Sequence, residues 1–460
     1  MGNKAKFLTP YGKKELIYAD WGASGRLYAP IERKLIDELG PFVGNTHTET
    51  TVTGTTMTDV YGAAKKTIRH HVNAGRDDVV IPVGSGMTGA VLKLQRLLGL
   101  KIPEQWRAHF RIPKRLRPVI FVTHMEHHSN HTTWLETIAN VEVIHPDRQG
   151  LVDADHLDAL FRKYRTRRMK IAAVTACSNV TGILTPYQTF ARIAHRHGGL
   201  CFVDFAAAAP YVPINMHPRD KAAKLDAIYF SPHKFLGGPG SAGILIFDSR
   251  FYRLAAPDQP GGGAITWTNP WGGRHYFEDI ERREDGGTPP FLQTIKAGLA
   301  IRLKEEMGAR NFLAREAELT RLLFKRLEAI EGLAILAGNV RKRLGIISFV
   351  IRDLHYNLGV KILNDRFGIQ ARGGCVCAGT YGHHLFQISR RRSREITDRI
   401  DRGDLSTKPG FMRISIHPVM TRGEIEYICQ AVKALAKRHR IWSKDYIYSP
   451  RLNEFRHRGV

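Results

Sequence analysis

Cysteine is scarce in this chain, with five in 460 residues. So few exclude a disulfide scaffold and fit a reducing compartment. Long apolar runs are missing too. A spanning helix needs roughly 18 apolar residues in a row, and the most apolar stretch, CFVDFAAAAPYVPI, is broken by Asp204, Pro210 and Pro213. The start, MGNKAKFLTPYGKKELIYADWG, has no apolar core of a secretory signal, and Lys6 stands where a myristoylation signal has Ser or Thr. The expectation is a soluble, cytoplasmic protein with no membrane attachment. Acidic residues are also in deficit, 43 Asp and Glu against 69 Lys and Arg, for a formal charge of +26.

Such an excess of positive charge invites a nucleic-acid reading, and its distribution argues against one. The basic clusters at 107–118, 162–170, 341–343, 389–395 and 436–440 are scattered between elements, with few aromatics among them. Single-strand binders interleave the two, and no recognisable nucleic-acid motif is present. The clusters are expected to be solvated surface, or a surface that meets an acidic partner. Hydrophobic residues at 43% and charged residues at 24% describe a folded chain rather than a disordered one.

From about residue 79, short apolar runs alternate with amphipathic stretches. DVVIPVG, PVIFVTH, VEVIHP, KIAAVTACS, LCFVDF, LDAIYFS and GILIFD read as strands, with helices such as GAVLKLQRLLGL, DADHLDALFRKY (N-capped by Asp153) and YQTFARIAHRHG between them. This interleaving predicts βαβ units, a mostly parallel sheet, and a site at the strands' carboxyl ends. A Gly/Pro/Trp-rich passage at 257–276 interrupts the pattern. A long helix is expected near Phe291, then a smaller α+β region with strands such as GIISFVIRD and FMRISIHP. No repeat of fixed period is present.

The chemistry gathers at the predicted strand ends. YFSPHKFLGGPG places Lys234 among glycines, LCFVDF ends in Asp204, and KIAAVTACS runs into Asn179. A carboxylate closing an apolar strand is costly without a partner. Pyridoxal 5'-phosphate explains the set, because it needs a lysine for a Schiff base, a carboxylate beside its pyridine nitrogen, a donor at its phenolic oxygen and N–H groups for its phosphate. The turn VGSGMTGAVL (83–92) supplies the last and lacks the GxGxxG spacing of a dinucleotide site. His124, His127, His128 and His131 have spacings that fit one helical face, but no Cys or carboxylate set completes a zinc site, and no metal is expected.

In this chain order the features resemble the fold-type-I pyridoxal-phosphate enzymes of the class V aminotransferase group, most closely their cysteine desulfurase and selenocysteine lyase branch. The resemblance runs from about Tyr18 to about Leu435 and is strongest in THMEHHSNHTTW, CSNVTGILTPY, VDFAAAA, DAIYFSPHKFLGGPG, ARGGCVCAG and MRISIHP. It implies an α/β fold: a large cofactor domain over 26–300, a smaller α+β domain over 301–460, and an N-terminal segment, 1–25, packed on the latter. It also implies a homodimer with the site between the domains.

The resemblance also assigns roles. Lys234 matches the Schiff-base lysine, Asp204 the partner of the pyridine nitrogen, and Asn179 the residue near the phenolic oxygen and substrate carboxylate. His127 matches the imidazole that stacks on the ring and moves protons. Ser231, His233, Met87 and Thr88 fall where phosphate is bound. Arg413 matches the arginine that grips the substrate carboxylate, with Arg372 nearby. Thr266, after GGG at 261–263, resembles a loop reaching into the partner subunit's site. In ARGGCVCAG, Cys377 lies five residues after Arg372, as in the R-x-G-x-x-C loop whose thiolate takes the substrate's sulfur, and Cys375 makes a C-x-C pair like that of molybdenum-cofactor sulfurases. Flanking Arg and the absence of local acids favour the thiolate. One departure is Ala207, where the family has Gln or His against the phenolic oxygen. The expected activity is removal of sulfur or selenium from L-cysteine or L-selenocysteine to give L-alanine, with an acidic sulfur-acceptor protein as partner. A class V aminotransferase or epimerase on another amino acid, and a non-catalytic basic binding module, are the alternatives.

Overall fold

The computed structural model describes residues 5–84 and 86–459, so Ser85, in the glycine-rich turn, lies outside the described residues. The chain divides into two compact units. One comprises Met1–Ala23, Ser178–Leu184 and Arg310–Val460, the other Ser24–Cys177 and Thr185–Ala309. In chain order the strands are β1 (Lys6–Thr9), β2 (Gly12–Glu15), β3 (Ile17–Tyr18), β4 (Asp78–Val83), β5 (Val119–Thr123), β6 (Asn140–Ile144), β7 (Lys170–Thr175), β8 (Leu200–Asp204), β9 (Ala227–Phe230), β10 (Gly243–Asp248), β11 (Ile265–Thr268), β12 (Arg274–Tyr276), β13 (Leu333–Ile335), β14 (Ile346–Ile351), β15 (Ile369–Gln370), β16 (Arg372–Gly374), β17 (Phe411–Ser415), β18 (Tyr446–Ser449) and β19 (Glu454–His457).

The larger unit is built on a seven-stranded sheet in the order β4-β10-β9-β8-β7-β5-β6. Strands β5 to β9 run parallel, and β10 is antiparallel to both β4 and β9. VIFVT, KIAAVT, AIYF and GILIFD are buried along their whole length. They lack polar alternation because helices cover both faces of such a sheet. The helix Ala154–Lys163 buries Leu157, Leu160 and Phe161, and Asp153 caps it by accepting from the N–H groups of Asp155 and His156. Trp134, Phe202, Tyr229 and Leu94 belong to one continuous core. Only the direction of β10 escapes the sequence pattern. The link from β9 holds no covering helix, only a single turn at Pro232–Lys234 and a glycine-rich return. A parallel crossover is usually carried by a helix, and the link 231–242 holds none beyond that one turn, so the chain doubles back.

Two local expectations change. The histidines after β5 do not share a helical face: His124 follows the strand, His127 caps a single 3-10 turn at His128–Asn130, and His131 precedes the short helix Thr132–Leu135. The passage at 257–276 contains the hairpin β11–β12, whose neighbouring Trp271 is 88% exposed.

In the smaller unit, β13, β14, β17 and β16 form an antiparallel sheet, β3 pairs with β15, and hairpins β1–β2 and β18–β19 carry the two ends of the chain. The segment 178–184 belongs here because its backbone is stitched in. Gly182 has φ +71, and a Cβ there would meet the Leu344 carbonyl at 2.4 Å. The closing helix Arg422–Trp442 starts on a capping box of Thr421 and Glu424.

A close approach in the larger unit gives a test. A Cβ on Gly243 would lie 2.1 Å from the Gly86 carbonyl, so Gly243→Ala must push β10 off the helix Gly86–Leu97. The expected cost is about 1–3 kcal/mol, read as a lower urea midpoint at unchanged slope.

Candidate active site

Asp204 ends β8 at 2% exposure and accepts one hydrogen bond from the Ala206 N–H at 2.8 Å. Burial pushes its carboxyl up to about 7, opposed by that N–H and by the charge of Lys234. Lys234 closes the one-turn helix Pro232–Lys234 directly after β9, its N–H donating to the Ser231 carbonyl at 3.1 Å. The glycines that follow are a packing requirement, since a Cβ on Gly238 would meet the Pro232 carbonyl at 1.9 Å.

The same loop meets the start of the helix Gly86–Leu97. Ser231 Oγ accepts from the Met87 N–H at 2.8 Å, and Thr88 Oγ1 lies 2.7 Å from Ser129 Oγ. Gly86 has φ +57, and a Cβ there would sit 3.2 Å from Ser231 Oγ and 3.3 Å from the His233 ring. His233 is pulled down to about 4, by burial first and then by Lys234, so its ring is neutral at pH 7. His127 Nδ1 accepts the Ser129 N–H at 3.1 Å. Ser231, His233, Met87, Thr88 and His127 therefore form one constellation around a helix N-terminus. Thr266 is held elsewhere in the unit, in the exposed hairpin, where its hydroxyl donates to the His275 carbonyl at 3.0 Å.

Glu126 is the residue that sequence reasoning passed over. It is 2% exposed; Oε1 accepts from the Thr123 hydroxyl at 2.7 Å and the Thr175 N–H at 2.8 Å, and Oε2 from Asn130 Nδ2 at 2.8 Å. Asn130 Oδ1 in turn accepts from the Tyr229 hydroxyl at 2.6 Å and Trp134 Nε1 at 3.2 Å. This network ties the ends of β5, β7 and β9 together. Burial pushes Glu126 up to about 8, and the charge of Asp204 adds to the rise. The available signal was an acid beside His127 in an otherwise uncharged stretch.

The smaller unit holds the remaining candidates. Arg413, on β17, is 2% exposed; Nη2 donates to Asp20 Oδ1 at 2.6 Å and Nη1 to the Asn179 carbonyl at 2.8 Å. Arg372 Nε donates to the other oxygen of Asp20 at 3.0 Å, so one carboxylate, unremarked in the sequence, fixes two guanidinium groups. Asn179 Nδ2 donates to the Val376 carbonyl at 2.7 Å, and its Oδ1 is buried without a partner. Val376 and Cys377 have φ of +43 and +58, a left-handed pair that costs about 1–3 kcal/mol per residue. Cys377 is exposed and Cys375 half-buried, while Cys177, Cys201 and Cys429 are buried.

Pyridoxal phosphate fits what the larger unit presents. Asp204 is a buried carboxyl short of a cation, Lys234 an amine within its field, and Gly86–Leu97 a helix N-terminus with hydroxyls beside it. Asp204 also sets a pH dependence in the cofactor-free protein. Its folded pKa lies above the unfolded value, so the native state binds the extra proton, and stability falls as pH rises from about 4 to about 7. Urea midpoints at pH 5 and pH 7 should show this fall, and Asp204→Asn should reduce its slope by up to about 1.4 kcal/mol per pH unit.

The chain is 28% identical over 367 residues to a probable cysteine desulfurase of Halalkalibacterium halodurans, covering 79% of this chain and 84% of that one. It is 28% identical over 369 residues to a probable cysteine desulfurase of Staphylococcus aureus, with the same coverage. Among solved structures it superposes on the apo cysteine desulfurase of Thermococcus onnurineus with TM-score 0.75 at 22% identity, over 92% of this chain and 95% of that one. The cysteine desulfurase CsdA of Escherichia coli gives 0.70 at 21% identity, over 91% and 94%. The profile of the family Aminotransferase class-V matches residues 17–428, and the chain belongs to that family of pyridoxal-phosphate enzymes.

Proposed function

We propose that the protein is a cysteine desulfurase, taking sulfur or selenium from L-cysteine or L-selenocysteine and leaving L-alanine. The observation that carries this reading is the state of the thiols: of the five cysteines, only Cys377 is exposed, and it stands on a left-handed turn anchored through Val376 to Asn179.

Pyridoxal phosphate, when bound, supplies an aldehyde that condenses with amines and a cationic ring that withdraws electrons. The Ser231, His233, Met87 and Thr88 group holds its phosphate against the helix N-terminus, and Asp204 balances the charge of its ring nitrogen. Lys234 Nζ would hold the cofactor's aldehyde and would move the proton at the substrate Cα. His127, held by the Ser129 N–H at Nδ1, would lie against the cofactor ring and serve as a second proton carrier. Arg413, fixed by Asp20 and the Asn179 carbonyl, receives the substrate carboxylate, with Arg372 beside it. A planar fork suits a carboxylate better than a point charge does.

Cys377 then acts as nucleophile. Its thiolate sulfur bonds to the substrate sulfur, the carbon–sulfur bond breaks, and the electron pair returns to the substrate carbon, which gains a proton. Cysteine and enzyme thiol become alanine and enzyme persulfide, with atoms and electrons balanced. The persulfide passes to an acidic acceptor protein. The working form is a cytoplasmic homodimer in which the loop bearing Thr266 reaches the partner subunit's site. Ala207, buried and apolar, favours a second reading, a class V aminotransferase or epimerase, because it removes the polar group expected at the phenolic oxygen.

One assay separates these readings. With L-cysteine and dithiothreitol, sulfide and alanine should appear in equal amounts; a keto acid or D-cysteine instead rejects the desulfurase. Cys377→Ala should abolish sulfide release while the visible absorbance of bound cofactor persists. Arg413→Lys should raise KM for cysteine by about 10–100-fold, the loss of a charge-assisted bond of about 1.5–3 kcal/mol.

A further inference from the structure

We propose that a groove bordered by the hairpins at the two ends of the chain binds an extended, acidic segment of the sulfur-accepting protein, adding it as a strand to the free edges of β1 and β19. The proposal rests on the desulfurase reading and identifies where that enzyme's partner docks.

The smaller unit contains an open cavity of about 1170 Å³. Phe7 and Leu8 of β1 form one wall, Phe455 and His457 of β19 the other, and Val360 and Ile369 lie in the floor. Both walls fall outside residues 17–428, the span matched by the family.

Among the described residues, register leaves each wall with an unpaired backbone edge. Leu16 N–H donates to the Ala5 carbonyl at 2.8 Å. By the alternation of an antiparallel ladder, Phe7 and Thr9 face β2, while the N–H and C=O of Lys6 and Leu8 turn away from it. Arg458 N–H donates to the Asp445 carbonyl at 2.8 Å, which by the same alternation turns those of Phe455 and His457 away from β18. The two hairpins meet at Tyr11 and His457, whose rings cross edge-on at 5.2 Å. Leu8 is 83% exposed. An exposed leucine on an open edge is a liability that proteins normally remove, and strand addition to such an edge is a standard mode of peptide capture.

Charge and position select the occupant. The hairpins carry six Lys and Arg against two Glu between residues 6–15 and 446–458. A second copy of this chain would bring basic edge to basic edge, whereas an acidic segment is attracted. Ala371 lies in the floor of the groove, six residues before Cys377, which is at most about 20 Å of extended chain. A strand seated here leaves its neighbouring cysteine within reach of the persulfide.

The test uses the full-length holoenzyme and a peptide of roughly ten residues, alternating Glu and Val and ending in one Cys. Leu8→Pro and Phe455→Pro each delete an outward N–H, a place where an edge strand tolerates proline. Transfer of labelled sulfur to the peptide should fall about tenfold in either variant, equivalent to about 1.4 kcal/mol, while sulfide release with dithiothreitol stays at the wild-type rate. Equal peptide rates in wild type and both variants overturn the proposal. So does a loss of molecular mass by light scattering in the variants, which would assign the groove to contact between copies. If the wild type releases no sulfide with dithiothreitol, the desulfurase reading fails instead. Fluorescence anisotropy of the peptide on the Cys377→Ala protein still decides the groove, with tenfold weaker binding after Leu8→Pro in its favour and unchanged binding against it.

Discussion

A carboxyl group at the end of β8 has no water to solvate it. Asp204 keeps one backbone donor, the Ala206 N–H, and the field of Lys234. Such a group is either protonated or opposite a cation. The parallel sheet creates the condition, because strands buried on both faces deliver their last residues into a dry crevice. Glu126 shares the condition: burial pushes its carboxyl up, and the charge of Asp204 adds to the rise. In the proposed role of Asp204, a cofactor with a cationic ring nitrogen would resolve the conflict, and the energy that burial withholds from the bare carboxylate would become binding energy for the protonated ring.

The smaller unit solves a different problem, that of holding a thiol out into solvent on a strained turn. Val376 and Cys377 both take left-handed φ, which side chains avoid. The compensation is local: Asn179 Nδ2 binds the Val376 carbonyl, and the Asn179 carbonyl is in turn gripped by Arg413. Asp20 fixes Arg413 and Arg372 together. The loop geometry and the two guanidinium groups thus share one hydrogen-bonded chain, so a change at Asp20 acts on both.

The strands and the fold class were legible because they rest on patterns that burial imposes. VIFVT and KIAAVT admit little but a doubly covered strand, and Asp204 after FV is conspicuous because charge ends an apolar run. The reversal of β10 was not legible, since GILIFD has the same composition in either direction and only the short glycine-rich link decides. Asp20 and Glu126 were hidden for a shared reason. Their meaning lies in partners far along the chain, Asp20 with Arg413 and Glu126 with Thr175, and spacing carries no trace of them. The left-handed turn at Cys377 was equally invisible, because neither Val nor Cys announces that conformation as glycine does.

The net charge can now be divided by function. Lys234 and Arg413, the cations assigned to chemistry, are half-buried or buried, and Arg413 is already opposed by Asp20. Much of the arginine in the 389–395 cluster is exposed and partly neutralised along its own helix, as in Arg391 and Arg392 against Glu395. Exposed pairs of this kind are worth about 0–1 kcal/mol each, so they do little for stability. What survives pairing is a long-range positive field that raises the local concentration of acidic molecules and fades with salt. In the proposed reaction, sulfur left on Cys377 would have to be met by a second molecule, and encounter with that molecule is the step such a field would accelerate.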